Sequence, residues 1–325
     1  MSYVIKSFLI ILIFLFLLEY FFIKNYFCIS CIKNISYSSK CFQCPIKMLF
    51  NGLQIASDEE TLNQIINNNK SISRFGDGEF LIIFGESLVF QKSNTILSNR
   101  LKEILNNTDN KFLVGINVPY KDFYKLNDYE KKYWTRYFNK FKFELIKILN
   151  KKKKYYSASI SRFYFRYKDK SKVPNYVKKL KKIWENKDLL IIEGNCSRIG
   201  IGNDLFINAK SIKRIICPSI NAFEVYDKII KSVLKLKEKR LILIALGPAA
   251  SILSYDLYKL GYQTIDFGHL DIEYEWFLRN TVKKIQIENK YVSEANGSSY
   301  NFSKVKDKNY YKQIISQIIN YINNT

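Results

Sequence analysis

The sequence predicts an α/β domain with a mainly parallel, doubly wound sheet, preceded by a separate N-terminal segment. Short runs that are almost wholly apolar recur from residue 112 to residue 268, as expected for strands that are buried on both faces. Amphipathic stretches long enough for helices separate most of these runs. Because strand and helix signals alternate in this way, the expected architecture is a parallel sheet covered by helices on both faces.

The N-terminal segment comes first along the chain. Phe8 to Leu18 is unbroken hydrocarbon, and with residues 20–23 it approaches the roughly 20 residues that cross a bilayer core. A cleaved signal peptide and a buried soluble helix are the alternatives, but no small-residue cleavage site follows the segment. We therefore expect residues 1–26 to anchor the chain in a membrane. Lysines are more frequent after this segment than before it, which predicts a cytoplasmic location for the large C-terminal part.

Residues 27–56 are expected to form a cysteine-rich juxtamembrane linker. It contains two C-x-x-C pairs, made by Cys28, Cys31, Cys41 and Cys44. Four thiolates at such spacing can hold a structural zinc ion in tetrahedral geometry. Free thiols in a reducing compartment and two disulfides in an oxidising compartment are the alternatives.

The predicted domain covers residues 57–280. A capping box made by Ser57 and Glu60 indicates that a helix starts there. Further helices are expected near residues 175–185 and 221–236. The strand-like runs begin at Phe112, Tyr155, Leu189, Ile212, Leu241 and Gln263. Residues 281–325 are expected to form a polar linker and a C-terminal helix, Tyr310 to Ile322.

Glycines and polar residues follow several runs, at the edge of a parallel sheet where ligands gather. Glycines at strand-to-helix turns let backbone N–H groups approach a phosphate, and the amino end of a helix adds partial positive charge. The candidate ligand-binding residues at these turns are Glu193, Ser197, Arg198, Gly247 and Pro248. An ordinary turn is the alternative for each position, and Arg198 has pairing with Asp204 as a further alternative.

The stretch SRFGDGEF places two carboxylates two residues apart after a short apolar run. Arg74 is expected to end a strand, and Gly76 and Gly78 are expected to permit a tight turn. Asp77 and Glu79 offer hard oxygen ligands that suit Mg²⁺ or Mn²⁺, and Arg74 offers a fork to a phosphate oxygen. A hairpin turn is the alternative, because Asp-Gly is a frequent turn pair.

His269, the only histidine of the chain, follows the last predicted strand. Because imidazole titrates near neutrality, His269 can act as a general base or as a further metal ligand. Asp271, Glu273 and Glu193 are the other candidates for the base. A structural hydrogen-bonding role is the alternative for His269.

The composition excludes a disordered chain and favours anionic partners. Apolar residues make up 47% of the sequence, and the formal net charge is +23. A non-catalytic, membrane-tethered module that binds nucleic acid or another anionic polymer is therefore an alternative function. No interleaved aromatic and basic RNA-binding motif stands out, so no nucleic-acid partner is expected.

Five blocks of the sequence resemble, in order, the signature blocks of the GT-D-type glycosyltransferases, a family first catalogued as a domain of unknown function. The blocks are SRFGDGEF, EGNCSRIGIGNDLF, KRIICPSINAF, LILIALGPAASILSYDL and GYQTIDFGHLDIEYEW. The resemblance implies a Rossmann-like fold and a nucleotide-sugar donor such as UDP-glucose. It also implies a glycan or glycoprotein acceptor, and a divalent Mn²⁺ or Mg²⁺ held by an Asp-x-Glu motif, here Asp77 and Glu79. Ala249 departs from the family pattern, where a hydroxyl residue is expected.

The resulting hypothesis is metal-assisted glycosyl transfer. Asp77 and Glu79 position the metal on the donor diphosphate, Arg74 and the Gly247 turn hold phosphate, and an acceptor hydroxyl attacks the anomeric carbon. A degenerate transferase kept as a scaffold is the alternative, although the intact carboxylate pair and His269 argue against it. The membrane segment and the cysteine cluster lie outside the resemblance. The resemblance therefore does not imply where the protein is located, nor which particular glycan or glycoprotein is the acceptor.

Overall fold

The computed structural model of the protein describes residues 46–295 and 304–318. The chain divides into two compact units, residues 1–49 and Phe50–Thr325, and residues 46–49 of the first unit are helical. The predicted membrane segment, residues 1–26, and the four clustered cysteines lie outside the described residues. Among the helices that the structure describes, none has the length and apolar character needed to cross a membrane.

Nine strands in the described part of the second unit form one sheet, in the order β1-β4-β3-β2-β8-β7-β5-β6-β9. Each pair of neighbouring strands in this sheet is parallel. The strands are β1 (Gln54–Ile55), β2 (Ser71–Phe75), β3 (Phe112–Ile116), β4 (Lys154–Ser157), β5 (Asp188–Gly194), β6 (Ser211–Cys217), β7 (Leu241–Ala245), β8 (Thr264–Asp266) and β9 (Ile314–Gln317). All carboxyl ends therefore lie along one edge of the sheet.

The helices lie between the strands and after them. They are α1 (Asp58–Asn67), α2 (Asp77–Ile83), α3 (Thr95–Leu105), α4 (Asp128–Ile148), α5 (Val173–Lys181), α6 (Tyr226–Leu234), α7 (Pro248–Lys259), α8 (Leu270–Leu278) and α9 (Lys308–Gln313). Short 3-10 turns occur at Phe123–Lys125, Ala158–Ser161 and Ala222–Val225. The Ser57 side chain accepts a hydrogen bond from the Glu60 amide at 3.0 Å, which confirms the predicted helix start.

Alternation along the central strands places apolar side chains on both faces of the sheet. On β5, Leu189 and Ile191 belong to one buried cluster, whereas Leu190 and Ile192 belong to another. The first cluster includes residues of α1, α5 and α8, and the second includes residues of α6 and α7. Helices therefore cover both faces, as the sequence predicted.

The six predicted strands are confirmed, but two details near the ends of the domain differ. Residues 314–317 form β9 beside β6, so the predicted helix from Tyr310 to Ile322 is wrong over these residues. Hydrogen bonding to the edge of the sheet outweighs the weak helical periodicity there. Residues 281–295, predicted as linker, belong to the second compact unit. Cys196 and Cys217 are both buried.

Candidate functional site

A cleft of about 710 Å³ lies at the carboxyl ends of the strands. Its wall includes the last residue of β5 and one residue from the turn after each of β2, β3, β4, β6, β7 and β8. These contributions are Gly76, Asn117, Ala158, Gly194, Ser219, Gly247 and Gly268. The strand ends that the sequence singled out therefore meet at one site.

Arg74, at the end of β2, is held mainly by the protein itself. Its Nη2 lies 3.0 Å from Oδ1 of Asp266 and its Nε donates to the backbone oxygen of Asp266 at 2.7 Å. Its Nη1 donates to the backbone oxygen of Ala158 and to the hydroxyl of Ser161. A Cβ on Gly268 would lie 1.7 Å from Nη2, so a glycine is needed for this close approach. Four of the five N–H groups of the Arg74 guanidinium donate to the protein in this way. Phosphate binding by Arg74 stays a prediction.

Asp77 and Glu79 lie in the first turn of α2, with Gly76 as the N-cap residue. The Asp-Gly pair therefore starts a helix instead of forming the tight turn expected at Gly76 and Gly78. The hydroxyl of Tyr133 donates to Oδ2 of Asp77, and the Gly76 amide donates to Oε2 of Glu79 at 2.7 Å. Both carboxylates line the cleft.

Each carboxylate of this pair keeps one oxygen that accepts no hydrogen bond from another residue in the described part of the chain: Oδ1 of Asp77 and Oε1 of Glu79. Burial, followed by the negative charge of Asp266, raises the pKa of Glu79 to about 7. A cation in the cleft would offset this unfavourable accumulation of negative charge.

The wall of the cleft carries more acidic than basic residues although the whole chain is strongly basic. The acidic residues are Asp77, Glu79, Glu130, Asp266, Asp271, Glu273 and Glu294, and the basic ones are Arg74, Arg162, Arg166 and Lys284. No three His, Cys, Asp or Glu side chains within residues 46–295 and 304–318 gather into a set that could hold a metal alone. Two carboxylate oxygens do fit Mg²⁺ or Mn²⁺, because these ions take their remaining ligands from phosphate and water.

His269 lines the cleft beside a cluster of charged side chains. Its Nε2 accepts or donates no hydrogen bond among the described residues, and Oε1 of Glu294 lies 3.9 Å away. Glu294 pairs with Arg162 and with Lys284, each at 2.5 Å. Although burial opposes it, Arg162, His269 and Lys284 hold the pKa of Glu294 well below its usual range. Burial and then the charge of Arg162 lower the pKa of His269 to about 3.

His269 is expected to remain neutral between pH 8 and pH 5 in the folded, metal-free protein. An exposed imidazole has a pKa of about 6.5, so the unfolded chain binds this proton at a higher pH than the folded chain does. The contribution of His269 to stability is therefore full above about pH 6.5 and is lost progressively as pH falls towards 3. The Cε1–H resonance of this single histidine, followed by NMR, should not shift between pH 8 and pH 5 in the folded protein. The same resonance in urea-unfolded protein should titrate near pH 6.5, and titration there in the folded protein would contradict the prediction.

Asp271 and Glu273, the other candidate bases, lie in the first turn of α8 and are buried. Asp271 pairs with Lys290 at 2.7 Å and accepts the Gly200 amide at 2.9 Å. Glu273 accepts two backbone amides, from residues 164 and 165, at 2.9 Å each, and burial raises its pKa. Both carboxylates therefore have structural partners, and their role in proton transfer stays a prediction.

The remaining predicted ligand-binding residues divide into those that line the cleft and those that do not. Ser197 and Gly247 line the cleft, whereas Glu193, Arg198 and Pro248 are absent from its wall. The structure buries Glu193 completely and pairs it with Arg214 at 2.5 Å.

Arg198 donates to the backbone oxygen of Asn289 at 3.0 Å. Asp204, the alternative partner considered for Arg198, pairs instead with Lys181 at 2.9 Å. The turn that carries Arg198 therefore contacts the segment of residues 281–295. Pro248 occupies the first position of α7, as expected from its fixed φ.

Several residues of the cleft wall were not predicted from the sequence. Lys284 and Glu294 belong to the segment taken as a linker, and Tyr133 lies on α4, far along the chain from the motif it contacts. For Lys284 and Glu294, the charge of the side chain was the only local sequence feature that pointed to a site. Arg162 follows a 3-10 turn that has no recognisable sequence pattern.

The model of the family described as "Glycosyltransferase GT-D fold" matches residues 72–295. The chain is 37% identical over 270 residues to "Glycosyltransferase GlyD" of Streptococcus pneumoniae, covering 82% of this chain and 33% of that protein. It is 37% identical over 245 residues to "Probable glycosyl transferase Gly" of Streptococcus gordonii, covering 75% of this chain and 36% of that protein. The chain thus spans about a third of the length of these curated relatives.

Solved structures show the same similarity in three dimensions. One, described as a domain of unknown function, DUF1792, with a distinct glycosyltransferase fold, matches with a TM-score of 0.79 and 38% identity, over 86% of this chain and all of the other. Another, described as a new glycosyltransferase (DUF1792) from Streptococcus sanguinis, matches with a TM-score of 0.78 and 35% identity, over 82% of this chain and all of the other. Similarity therefore covers most of the second compact unit in both sequence and structure.

Proposed function

Because the chain belongs to the family of glycosyltransferases with the GT-D fold, we propose that it transfers a sugar from a nucleotide-sugar donor, such as UDP-glucose, to a hydroxyl of a glycan or glycoprotein. One observation carries the finer part of this proposal. Two carboxylates with an uncommitted oxygen each, those of Asp77 and Glu79, line the same cleft as the glycine turns after β7 and β8.

The charge of the cleft supports a divalent cation, Mn²⁺ or Mg²⁺, as part of this reaction. A donor diphosphate would enter a wall with seven acidic and four basic residues, where repulsion opposes its binding. Asp77 and Glu79 are the residues that would hold the cation, through Oδ1 and Oε1. Such a cation, when bound, neutralises the diphosphate and the charge that develops as the sugar leaves.

Backbone groups of the protein would bind the rest of the diphosphate. Gly247 has a φ of +54°, which favours glycine, and it precedes the 12-residue helix α7 directly. The amino end of that helix carries partial positive charge and faces the cleft through Gly247. We assign to Arg74 the holding of the turn after β8, through Asp266, as well as the predicted contact with phosphate.

His269 is the favoured proton acceptor among His269, Asp271 and Glu273. Its Nε2 has no hydrogen-bond partner among the described residues, whereas both carboxylates already accept hydrogen bonds. With a pKa of about 3 in the ligand-free protein, His269 would take the acceptor proton only while a negatively charged donor occupies the cleft.

The test uses the full-length protein, a panel of nucleoside-diphosphate sugars, and Mn²⁺ present or chelated. We expect one donor class to raise the unfolding temperature in the presence of Mn²⁺, with about 2.7 kcal/mol of stabilisation at 100 times Kd. Nucleoside diphosphate should then be released when a glycan acceptor is supplied. A non-catalytic binding module would show stabilisation by anionic polymers with no release, and that result would contradict the proposal.

A further inference from the structure

Tyr133 connects the carboxylate motif to the long helix α4. Its hydroxyl donates a hydrogen bond to Oδ2 of Asp77, and its ring lines the cleft. Tyr137 follows one turn later on the same helix face, and its hydroxyl lies 3.5 Å from the backbone oxygen of Asp77. Two phenols of α4 thus face the first residue of α2, but only Tyr133 contacts the carboxylate.

The environment of Tyr133 fixes the direction of this hydrogen bond. The phenol supplies the only proton-donating group of the pair, because an ionised carboxylate accepts and does not donate, so Tyr133 donates and Asp77 accepts. The ring is edge-on to Trp134 at 5.6 Å and stacked on Tyr137 at 6.3 Å, which restricts its movement. Oδ2 of Asp77 therefore accepts one hydrogen bond, whereas Oδ1 accepts none from another residue within the described ranges and is the more open of the two to a ligand.

We propose that Tyr133 is a positioning residue, which orients Asp77 so that Oδ1 binds a divalent cation in the cleft. The inference rests on the proposed function, because it takes Asp77 as a metal ligand. Partners of this kind fix the orientation of ligating carboxylates, and their loss typically weakens metal binding 10–100-fold.

The Tyr133 hydroxyl is not needed to hold α2 against α4, because other contacts join the two helices. Phe84, directly after α2, stacks on Phe141 at 5.4 Å. Phe80 is fully buried within α2. Loss of one partly exposed hydroxyl should therefore leave the packing of the two helices intact, while changing the orientation of Asp77.

The experiment is a Mn²⁺ titration of the full-length protein, followed by electron paramagnetic resonance of the free ion, with and without UDP. The variants are Tyr133→Phe, Asp77→Asn and the matched control Tyr258→Phe. Tyr258 donates to Oδ2 of Asp109 at 2.7 Å, a phenol–carboxylate pair remote from the cleft wall. We expect Tyr133→Phe to raise the Kd for Mn²⁺ 10–100-fold with an unchanged unfolding temperature, and Tyr258→Phe to leave the Kd unchanged.

The outcomes separate this inference from the proposed function. Suppose that Asp77→Asn abolishes Mn²⁺ binding, but Tyr133→Phe has the same Kd as the unmodified protein. This result would overturn the role of Tyr133 and leave the metal site standing. Unchanged binding in Asp77→Asn, or no Mn²⁺ binding by the unmodified protein, would overturn both the metal site and the role of Tyr133. A Tyr133→Phe effect that Tyr258→Phe reproduces would show a general loss of stability, and it would also overturn the inference.

Discussion

Replacing Asp77 by Asn is expected to lower the rate of sugar transfer roughly 10³-fold, the scale on which loss of one electrostatic stabiliser affects kcat. Asparagine keeps the size of the side chain and can still accept from Tyr133, but it lacks the charge that attracts a divalent cation. Release of nucleoside diphosphate at saturating donor, measured over a range of Mn²⁺ concentrations, checks the prediction. The loss should be partly relieved at high Mn²⁺.

Asp122→Asn is the control for this change. Asp122 is 57% exposed and pairs with Lys125 away from the cleft wall, so its replacement should leave the rate within about twofold. Since Asp77 and Glu79 would act on one cation, adding Glu79→Gln should cause much less than a second 10³-fold loss. Retained activity in the double variant would remove the carboxylate pair from the mechanism.

Replacing Arg214 by Met is expected to lower the free energy of unfolding by about 3–5 kcal/mol. The guanidinium of Arg214 and the carboxylate of Glu193 are 1% and 0% exposed and lie 2.5 Å apart on adjacent strands. Without Arg214, Glu193 would be a buried carboxylate with no cation to balance it, and burial already raises its pKa. Urea unfolding at pH 7 measures the change.

Lys213→Met, one residue earlier on β6, is the matched control for Arg214→Met. Lys213 pairs at 3.1 Å with Glu238, which is 55% exposed, and such surface pairs contribute about 1 kcal/mol or less. Equal losses for the two variants would contradict a structural role for the buried pair. A double variant, Arg214→Met with Glu193→Gln, should recover part of the loss because it removes the unbalanced charge.

The segment 281–295 shows why part of the site escaped prediction. It is polar and lacks periodicity, so it resembles a linker, yet it places Lys284 and Glu294 on the wall of the cleft. Lys290, within the same segment, is 3% exposed and pairs with Asp271 and Glu275 of α8. These pairings hold the segment against the domain, and no property of the segment alone indicates its partners.

Periodicity, capping and signature motifs were enough to predict strands β3 to β8, the start of α1 at Ser57, and the family, because these signals come from residues that are close together in the chain. The partners of the chemically active groups are visible only in the folded chain: Arg74 with Asp266, Asp77 with Tyr133, and Glu193 with Arg214. These contacts depend on which strands and helices become neighbours in space. Arg74 and Asp266 are 192 residues apart, and the pairing of β2 with β8 brings them together.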